Sequence, residues 1–227
     1  MTIAPLIEEQ GISEVLHFTM GDNFVEILSH GAVISRTLLE QERAKFQSLE
    51  RIGDTAWPDR SRDLKWWGYI NLSIETVNQY LLNRAKINHP GQRWFVLSFD
   101  PHVLTHEDVY FTTTNNAYEP HVLREKGPDG LKLPYSTSYK DRNGNVHWRQ
   151  GALPKQIPTS QQAEVLYPNV LSLNYLRAIY VEDDEGFRHA TQAIHSQKYI
   201  EGVKHEVSLT PSIAPKKFLA HKNQECF

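Results

Sequence analysis

The stretch QQAEVLYPNVLSLNYLRAIYVED, at residues 161–183, holds two short apolar runs and does most to decide the fold class. Residues 163–166 and 176–182 are of strand length and rich in apolar side chains, so each is predicted to be a strand. Comparable runs predict four more strands upstream, at residues 15–19, 68–75, 94–99 and 109–113.

Helical patterns lie between these runs. One helix is predicted to pass through Phe24 and Leu28 and to end at Gly31, with Asp22 or Asn23 as its cap. Two more are predicted at residues 37–52 and 77–82, each with an apolar face. The order of elements predicts an α+β fold, with a core of short mixed strands and a few helices.

The chain length favours a single domain. A chain of 227 residues is long enough for one hydrophobic core and short for two. Residues 1–210 are predicted to form that domain. Residues 211–227, with Pro211 and Pro215 followed by lysines, are predicted to be a loosely held tail.

Composition excludes several classes of protein. The net charge is only −3, so any nucleic-acid binding would need a local basic patch. The one cysteine, Cys226, excludes an internal disulfide framework and a multi-cysteine metal site. There is no apolar run of about 20 residues and no signal-peptide pattern, which predicts a cytoplasmic protein without a membrane span. His102 and His106 are four residues apart but lack the zincin motif, so no metal site is predicted.

One segment has the composition of a nucleic-acid interface. Residues 124–155 carry seven Lys or Arg against three acidic residues, interleaved with Tyr139, His147 and Trp148. Cations can contact phosphates and aromatic rings can stack on unpaired bases, so this segment is a candidate binding surface. The alternative is a solvated loop with incidental aromatic residues.

Several segments, taken in order, resemble one known family. They are HFT (17–19), WPDRSRD (57–63), INLSIE (70–75), WFVLSFDP (94–101), YFTTTNNAYEP (110–120) and the stretch at 161–183. This series is similar to the DarT family of nucleic-acid ADP-ribosyltransferases, over residues 14–183. The SI and TNNA-type segments are more similar to a branch other than the thymidine-modifying one, so no target base is predicted.

The resemblance implies an ADP-ribosyltransferase fold and NAD as co-substrate, without a metal. Cleavage of the nicotinamide glycosidic bond develops positive charge on the ribose, which a carboxylate stabilises. Glu164 matches the family's catalytic glutamate, and an exposed glutamate at a strand end is the alternative interpretation. Arg60 and Arg62 both fit the position of the catalytic arginine, and the spacing does not choose between them.

The same resemblance implies the binding residues. The predicted NAD contacts are His17, Phe18, Thr19, Ser73 and Asn115. The predicted nucleic-acid contacts are Lys140, Arg142, Trp148 and Arg149.

The predicted reaction is transfer of ADP-ribose to a base of single-stranded DNA. Three alternatives remain open from the sequence: the same chemistry on RNA, a protein-modifying transferase, and a non-catalytic nucleic-acid-binding module. The resemblance further implies a toxin of a toxin–antitoxin or phage-defence system, with a co-encoded antitoxin such as an ADP-ribose hydrolase.

Overall fold

A computed structural model describes residues 2–45, 61–199 and 207–219. The α-helices in these ranges are α1 (Ile3–Gln10), α2 (Gly21–His30), α3 (Arg36–Lys45), α4 (Gln79–Asn88), α5 (Gly127–Lys132) and α6 (Asp184–Ser196). Short 3-10 helices lie at Ser61–Trp66, Pro101–Thr105, Leu133–Tyr135, Leu173–Tyr175, Gln197–Tyr199 and Pro215–Phe218.

The strands belong mainly to one large mixed sheet. They are β1 (Val15–Met20), β2 (Ala32–Ile34), β3 (Tyr69–Ile74), β4 (Trp94–Phe99), β5 (Tyr110–Thr112), β6 (Arg124–Lys126), β7 (Ser138–Lys140), β8 (Val146–Trp148), β9 (Val165–Pro168), β10 (Val170–Ser172), β11 (Leu176–Val181) and β12 (Ser212–Ile213). Eight of them form a sheet in the order β12-β11-β4-β1-β3-β9-β5-β6, while β10 pairs with β2 and β7 with β8. The predicted α+β class with short mixed strands is confirmed.

The sheet buries apolar side chains on both faces. Alternate residues of a strand point to opposite faces, so Val15 of β1 joins one hydrophobic cluster and Leu16 joins another. The larger cluster includes side chains of α2 and α6, and the smaller one includes Leu82 of α4 and Phe218 near the chain end. All six residues of β4 are buried, and β4 contributes side chains to both clusters.

The sheet is nearly divided in its middle. β1 pairs with β4 along all six of its residues, but it pairs with β3 only through Val15–Ile74 and Leu16–Ser73. Beyond Leu16 the two strands separate, and β3 instead pairs with β9. His17 Nδ1 lies 3.2 Å from the Asn71 carbonyl oxygen across the gap. The separation creates space inside the sheet that no backbone ladder fills.

Some predicted elements differ from the structure. α2 begins at Gly21 after Met20, and no side chain caps it, so neither Asp22 nor Asn23 is its cap. The predicted helix at 37–52 is described as α3 up to Lys45, and its remainder lies outside the described residues. Residues 124–155, which show no periodicity, contain β6, α5 and the β7–β8 hairpin because such short elements are specified by tertiary contacts.

The segment 211–219 is attached to the sheet, unlike the loosely held tail expected from its prolines. β12 pairs in parallel with β11, and Phe218 is only 1% exposed. Lys217 forms an ion pair with Glu14, whose buried carboxylate also accepts a hydrogen bond of 2.7 Å from Ser98. A buried carboxylate needs such partners, and an apolar ring gains from burial, which explains the attachment. Residues 220–227 lie outside the described part of the chain.

Among the helices that the structure describes, none has the length and apolar composition needed to cross a membrane.

Candidate active site

A cavity of about 490 Å³ lies where β1 and β3 separate. Its volume falls within the range of about 300–1,000 Å³ that is typical of small-molecule sites. Its walls combine apolar residues of β1, α2 and β3 with polar side chains from α4 and from the turn after β5. Seven residues predicted from the sequence line it: His17, Phe18, Thr19, Ser73, Asn115, Arg142 and Glu164.

Glu164 lies at one wall of this cavity, directly before β9, and is 4% exposed. Its Oε2 accepts a hydrogen bond of 2.8 Å from the backbone N–H of Asn116. Its own backbone is fixed by Thr112, whose hydroxyl accepts from the Glu164 N–H at 2.8 Å and whose N–H donates to the Glu164 carbonyl at 3.0 Å. The carboxylate is therefore held in one position, which is the preorganisation that electrostatic catalysis requires.

The turn that supplies the Asn116 N–H is itself supported. Arg124 of β6 donates hydrogen bonds to both the side-chain and the backbone oxygen of Asn116. Arg124 also pairs with Glu119 at 2.8 Å, and its guanidinium lies 5.1 Å from the centre of the Trp66 ring. Asn115 closes the turn by accepting from the Ala117 N–H at 2.9 Å. The TNNA segment is thus a structured turn and also a wall of the cavity.

Tyr118 also lines the cavity. Its hydroxyl donates to Gln162 Oε1 at 2.8 Å. Burial raises the pKa of the Tyr118 hydroxyl, and the nearby Tyr80 and Glu164 raise it further, while Arg142 acts in the opposite direction. Tyr118 is therefore a neutral phenol at physiological pH.

His17 lines the cavity from β1. Enclosure by protein lowers the pKa of His17, and the hydrogen bond with Asn71 offsets this only in part, which favours the neutral imidazole. Because a carbonyl oxygen can only accept, Nδ1 carries the proton and donates to Asn71 O at 3.2 Å. Nε2 is then an acceptor, suited to a hydroxyl or amide donor of a ligand.

The remaining predicted contacts on β1 and β3 pack into the walls. Thr19 and Ser73 are both buried, and Ser73 pairs with Leu16 at the point where the strands begin to separate. Phe18 packs against Trp94, with ring centres 6.0 Å apart.

The β7–β8 hairpin brings only part of the predicted nucleic-acid surface to the cavity. Arg142, in its tip, lines the cavity. Lys140 and Trp148 are on the strands of the hairpin outside the cavity lining, and Trp148 is 68% exposed.

Arg149, a predicted nucleic-acid contact, forms hydrogen bonds within the protein. Its guanidinium donates to the Ile157 carbonyl at 2.9 Å, the Thr159 hydroxyl at 3.1 Å and the Pro154 carbonyl at 2.8 Å. These bonds fix the loop after β8 and engage both terminal nitrogens of the guanidinium.

The two predicted arginines lie at the edge of what the structure describes. Arg60 lies outside the described residues, and Arg62 is placed in the 3-10 helix Ser61–Trp66 by its backbone alone. Another cation, Arg36, lines the cavity and stacks over the Trp67 ring at 4.0 Å.

Sequence reasoning missed several residues of the cavity, notably Arg36, Asn71, Tyr80, Arg84 and Tyr118. Tyr80 and Arg84 are four residues apart on a helix that was predicted, so a shared face was readable from the sequence. The sequence did not show which part of the molecule this face contacts, because that depends on how α4 packs against the sheet.

A metal centre is not formed by the described residues, since no group of three or more His, Cys, Asp or Glu among them is arranged to hold an ion.

Solved structures of two DarT proteins share this fold. Thermus sp. 2.9 DarT in complex with NAD+ superposes with a TM-score of 0.59 at 12% identity, over 91% of this chain and 98% of that chain. The same protein in complex with ADP-ribosylated ssDNA gives 0.56 at 11% identity, over 92% and 97%. Thermosipho africanus DarTG in complex with ADP-ribose gives 0.56 at 20% identity, over 91% of this chain and 51% of that chain. The present chain thus spans about half the length of that last relative.

No curated protein sequence is significantly similar to the chain. The sequence model described as "DarT: ssDNA thymidine ADP-ribosyltransferase, DarT" matches residues 16–217, which include both walls of the cavity and Glu164. Because this match covers most of the chain, the protein belongs to the DarT family of NAD-dependent ADP-ribosyltransferases that act on single-stranded DNA.

Proposed function

We propose that this chain transfers ADP-ribose from NAD to a base of single-stranded DNA, with Glu164 as the catalytic carboxylate. The observation that carries the proposal is a buried carboxylate, fixed by the Asn116 N–H, at the wall of a cavity of about 490 Å³. NAD supplies a ribose whose C1 becomes electrophilic as the bond to nicotinamide breaks and the bonding electrons leave with nicotinamide.

The residues of the chain have separable tasks in this reaction. Glu164 stabilises the positive charge that develops on the ribose, and it acts most strongly in the transition state because that charge is absent before bond breaking. His17 holds a hydroxyl or amide donor of the substrate through Nε2. The base contributes a lone pair to C1 of the ribose and loses its proton to solvent, so no redox partner is needed.

The diphosphate of NAD requires a cation or several N–H donors. We assign this task to Arg60 or Arg62, because a guanidinium can bridge phosphate oxygens with two hydrogen bonds. Of Arg60→Ala and Arg62→Ala, one should weaken NAD binding, measured by calorimetry, far more than the other. Normal NAD affinity in both variants would contradict the assignment and direct attention to Arg36.

The nucleic-acid surface that we propose consists of Arg142 at the hairpin tip with Lys140 and Trp148 on its strands. Arg142 lies beside the cavity that holds Glu164. Lys140 and Val146 are cross-strand partners, as are Ser138 and Trp148, so Lys140 and Trp148 project from the same face of the hairpin. A cation and an exposed ring on one face can contact a phosphate and stack on a base.

The deciding experiment is incubation with labelled NAD and, separately, single-stranded DNA, RNA of the same sequence, duplex DNA and a mixture of proteins. Label should pass to the single-stranded DNA, with or without EDTA. Oligonucleotides that lack one base at a time identify the target, with thymidine tested first because the family description names it. Transfer of the label to RNA or to protein alone would overturn the proposal.

We further propose, from the family resemblance, that the protein acts as a toxin with a co-encoded ADP-ribose hydrolase as antitoxin. Induced expression should arrest growth, and co-expression of such a hydrolase should restore it. Arrest that persists in a Glu164→Gln variant would contradict a toxic role for the transferase reaction.

A further inference from the structure

The mouth of the cavity has two arginines on different elements. Arg84 projects from α4 and Arg142 from the tip between β7 and β8, and both are exposed and line the cavity. Neither has a hydrogen-bond or ion-pair partner within residues 2–45, 61–199 and 207–219. Arg124 and Arg177 are paired with carboxylates and Arg149 with carbonyl oxygens. Arg84 and Arg142 have no such partners in the described part of the chain, so they are positioned to receive an anion.

Aromatic side chains accompany the two cations. Tyr80 lies one helical turn before Arg84, so both side chains leave α4 on the same face. Tyr80 is 47% exposed, an unusual state for a large ring beside a cavity. Tyr118 lines the same cavity as Tyr80, Arg142 and Glu164, so the two cations and the two rings share one site.

The hairpin tip is fixed relative to this group. A methyl group at Gly144 would lie 3.1 Å from the His121 imidazole, so the tip packs directly on the turn that carries Tyr118. Asp141 holds the tip by accepting hydrogen bonds from the N–H groups of Asn143 and Asn145 at 2.8 and 2.9 Å. The mouth therefore has one wall made by α4 and another made by an anchored hairpin tip.

We propose that α4 supplies the second half of the DNA site: Arg84 contacts a phosphate, and Tyr80 stacks on a nucleotide next to the target base. The acceptor strand then crosses the mouth between α4 and the hairpin tip, with Arg142 on a second phosphate. A base between the two contacts is directed toward Glu164. This inference rests on the proposed function, since it assigns the acceptor of the same reaction to a second surface.

The exposed arginines at the mouth suit a single-stranded polyanion. Glu164 is buried, and the exposed arginines place positive potential in front of it, so a phosphate backbone is attracted to the mouth. Stacking on Tyr80 needs an unpaired base, which a duplex does not present.

The test compares Arg84→Ala and Tyr80→Ala with two matched controls, Arg188→Ala on the exposed side of α6 and Tyr199→Ala, which removes a ring that is 90% exposed. Affinity for a fluorescent oligodeoxynucleotide is measured by anisotropy at several salt concentrations, and NAD affinity by calorimetry. Tyr80→Ala should weaken DNA binding by roughly 5- to 150-fold, and Tyr80→Phe should restore it because stacking needs the ring and not the hydroxyl. Arg84→Ala should reduce the salt dependence of binding by about 0.7 in logarithmic slope. The controls and NAD affinity should be unchanged.

Two results would overturn the inference. DNA affinity and salt slope equal to the wild type in both α4 variants would remove α4 from the acceptor site. Loss of NAD affinity in Arg84→Ala with normal DNA affinity would make Arg84 an NAD residue. Failure of the proposed function would give a different result: the wild-type protein would not transfer label to DNA. If it still binds DNA, the affinities of the variants show whether α4 takes part in that binding.

Discussion

The turn around Glu164 and the β7–β8 hairpin lie side by side, but they are built differently. The turn is enclosed: Thr112, Asn116 and Glu164 are all buried and joined by hydrogen bonds. The hairpin is exposed along its strands and is anchored mainly at its tip, through Asp141 and the contact of Gly144 with His121. The difference indicates that the group acting on the ribose is held rigidly, whereas the surface that meets a variable polymer is left accessible.

The comparison predicts its largest effect at Glu164. In Glu164→Gln the shape is kept but the charge is lost, so about 3 kcal/mol of transition-state stabilisation should disappear, which is over a hundredfold in rate. Single-turnover transfer to an oligonucleotide measures this effect. DNA affinity and the melting temperature serve as controls and should change little. Near-wild-type transfer by a folded variant would remove Glu164 from the mechanism.

A smaller effect is expected one step away, at Arg124. Arg124→Gln removes the guanidinium that holds both oxygens of Asn116, so the N–H that orients Glu164 loses its fixed position. We expect kcat to fall on the order of tenfold, which corresponds to the lower end of the range of about 1.5–3 kcal/mol for hydrogen bonds to a charged group. DNA affinity should stay within twofold. If DNA affinity fell while kcat held, the turn would belong to the acceptor surface, and the distinction between the two regions would fail.

A change in the hairpin should instead affect DNA affinity. Gly144 has φ of +85° and touches His121, so Gly144→Ala strains the backbone and displaces the tip. We expect several-fold weaker DNA binding with unchanged NAD affinity. Gly151→Ala is the matched control, because a methyl group there meets nothing within 4 Å and no left-handed φ is involved. Equal DNA affinity in the two variants would show that the position of the tip is unimportant.

The smallest effect concerns pH and His17. Its pKa is lowered by burial, so between the folded pKa and the unfolded value of about 6.5 only the unfolded chain takes up a proton. Stability should therefore fall as the pH drops below about 6.5, and His17→Gln should make that part of the curve flatter. Chemical denaturation at a series of pH values measures both curves. An unchanged slope in the variant would mean that His17 is charged in the folded protein.

The sequence predicted the large elements and the residues of the cavity better than it predicted their supports. The strands at Val15–Met20 and Trp94–Phe99 were readable because continuous apolar runs specify buried strands locally. The supporting role of Arg124 was not readable, because it depends on Asn116, Glu119 and Trp66 meeting in three dimensions. Arg149 shows the converse. The basic composition of its segment suggested a phosphate contact, but in the folded loop its guanidinium donates to nearby carbonyl groups.

The contacts of residues 211–219 were not readable from the sequence for a related reason. Pro211 and Pro215 are typical of an irregular segment, and pattern alone does not show that Phe218 enters the cluster around Leu82 or that Lys217 reaches Glu14, about two hundred residues away in the sequence. Such contacts can stabilise a segment only after the sheet has formed, so they leave no local pattern in the sequence. The division into a domain over residues 1–210 and a tail from 211 stays a prediction, although the attached residues argue for placing the boundary later.

Only two residue pairs join β1 to β3 in the described structure, so few backbone hydrogen bonds connect the two parts of the sheet. A small molecule bound where the strands separate contacts both parts of the sheet. It should therefore cross-link them and reduce their relative motion. β4 lies in the part that contains β1, and β9 lies in the part that contains β3. Amide hydrogen exchange should then slow in both strands when NAD is added, although neither strand crosses the gap.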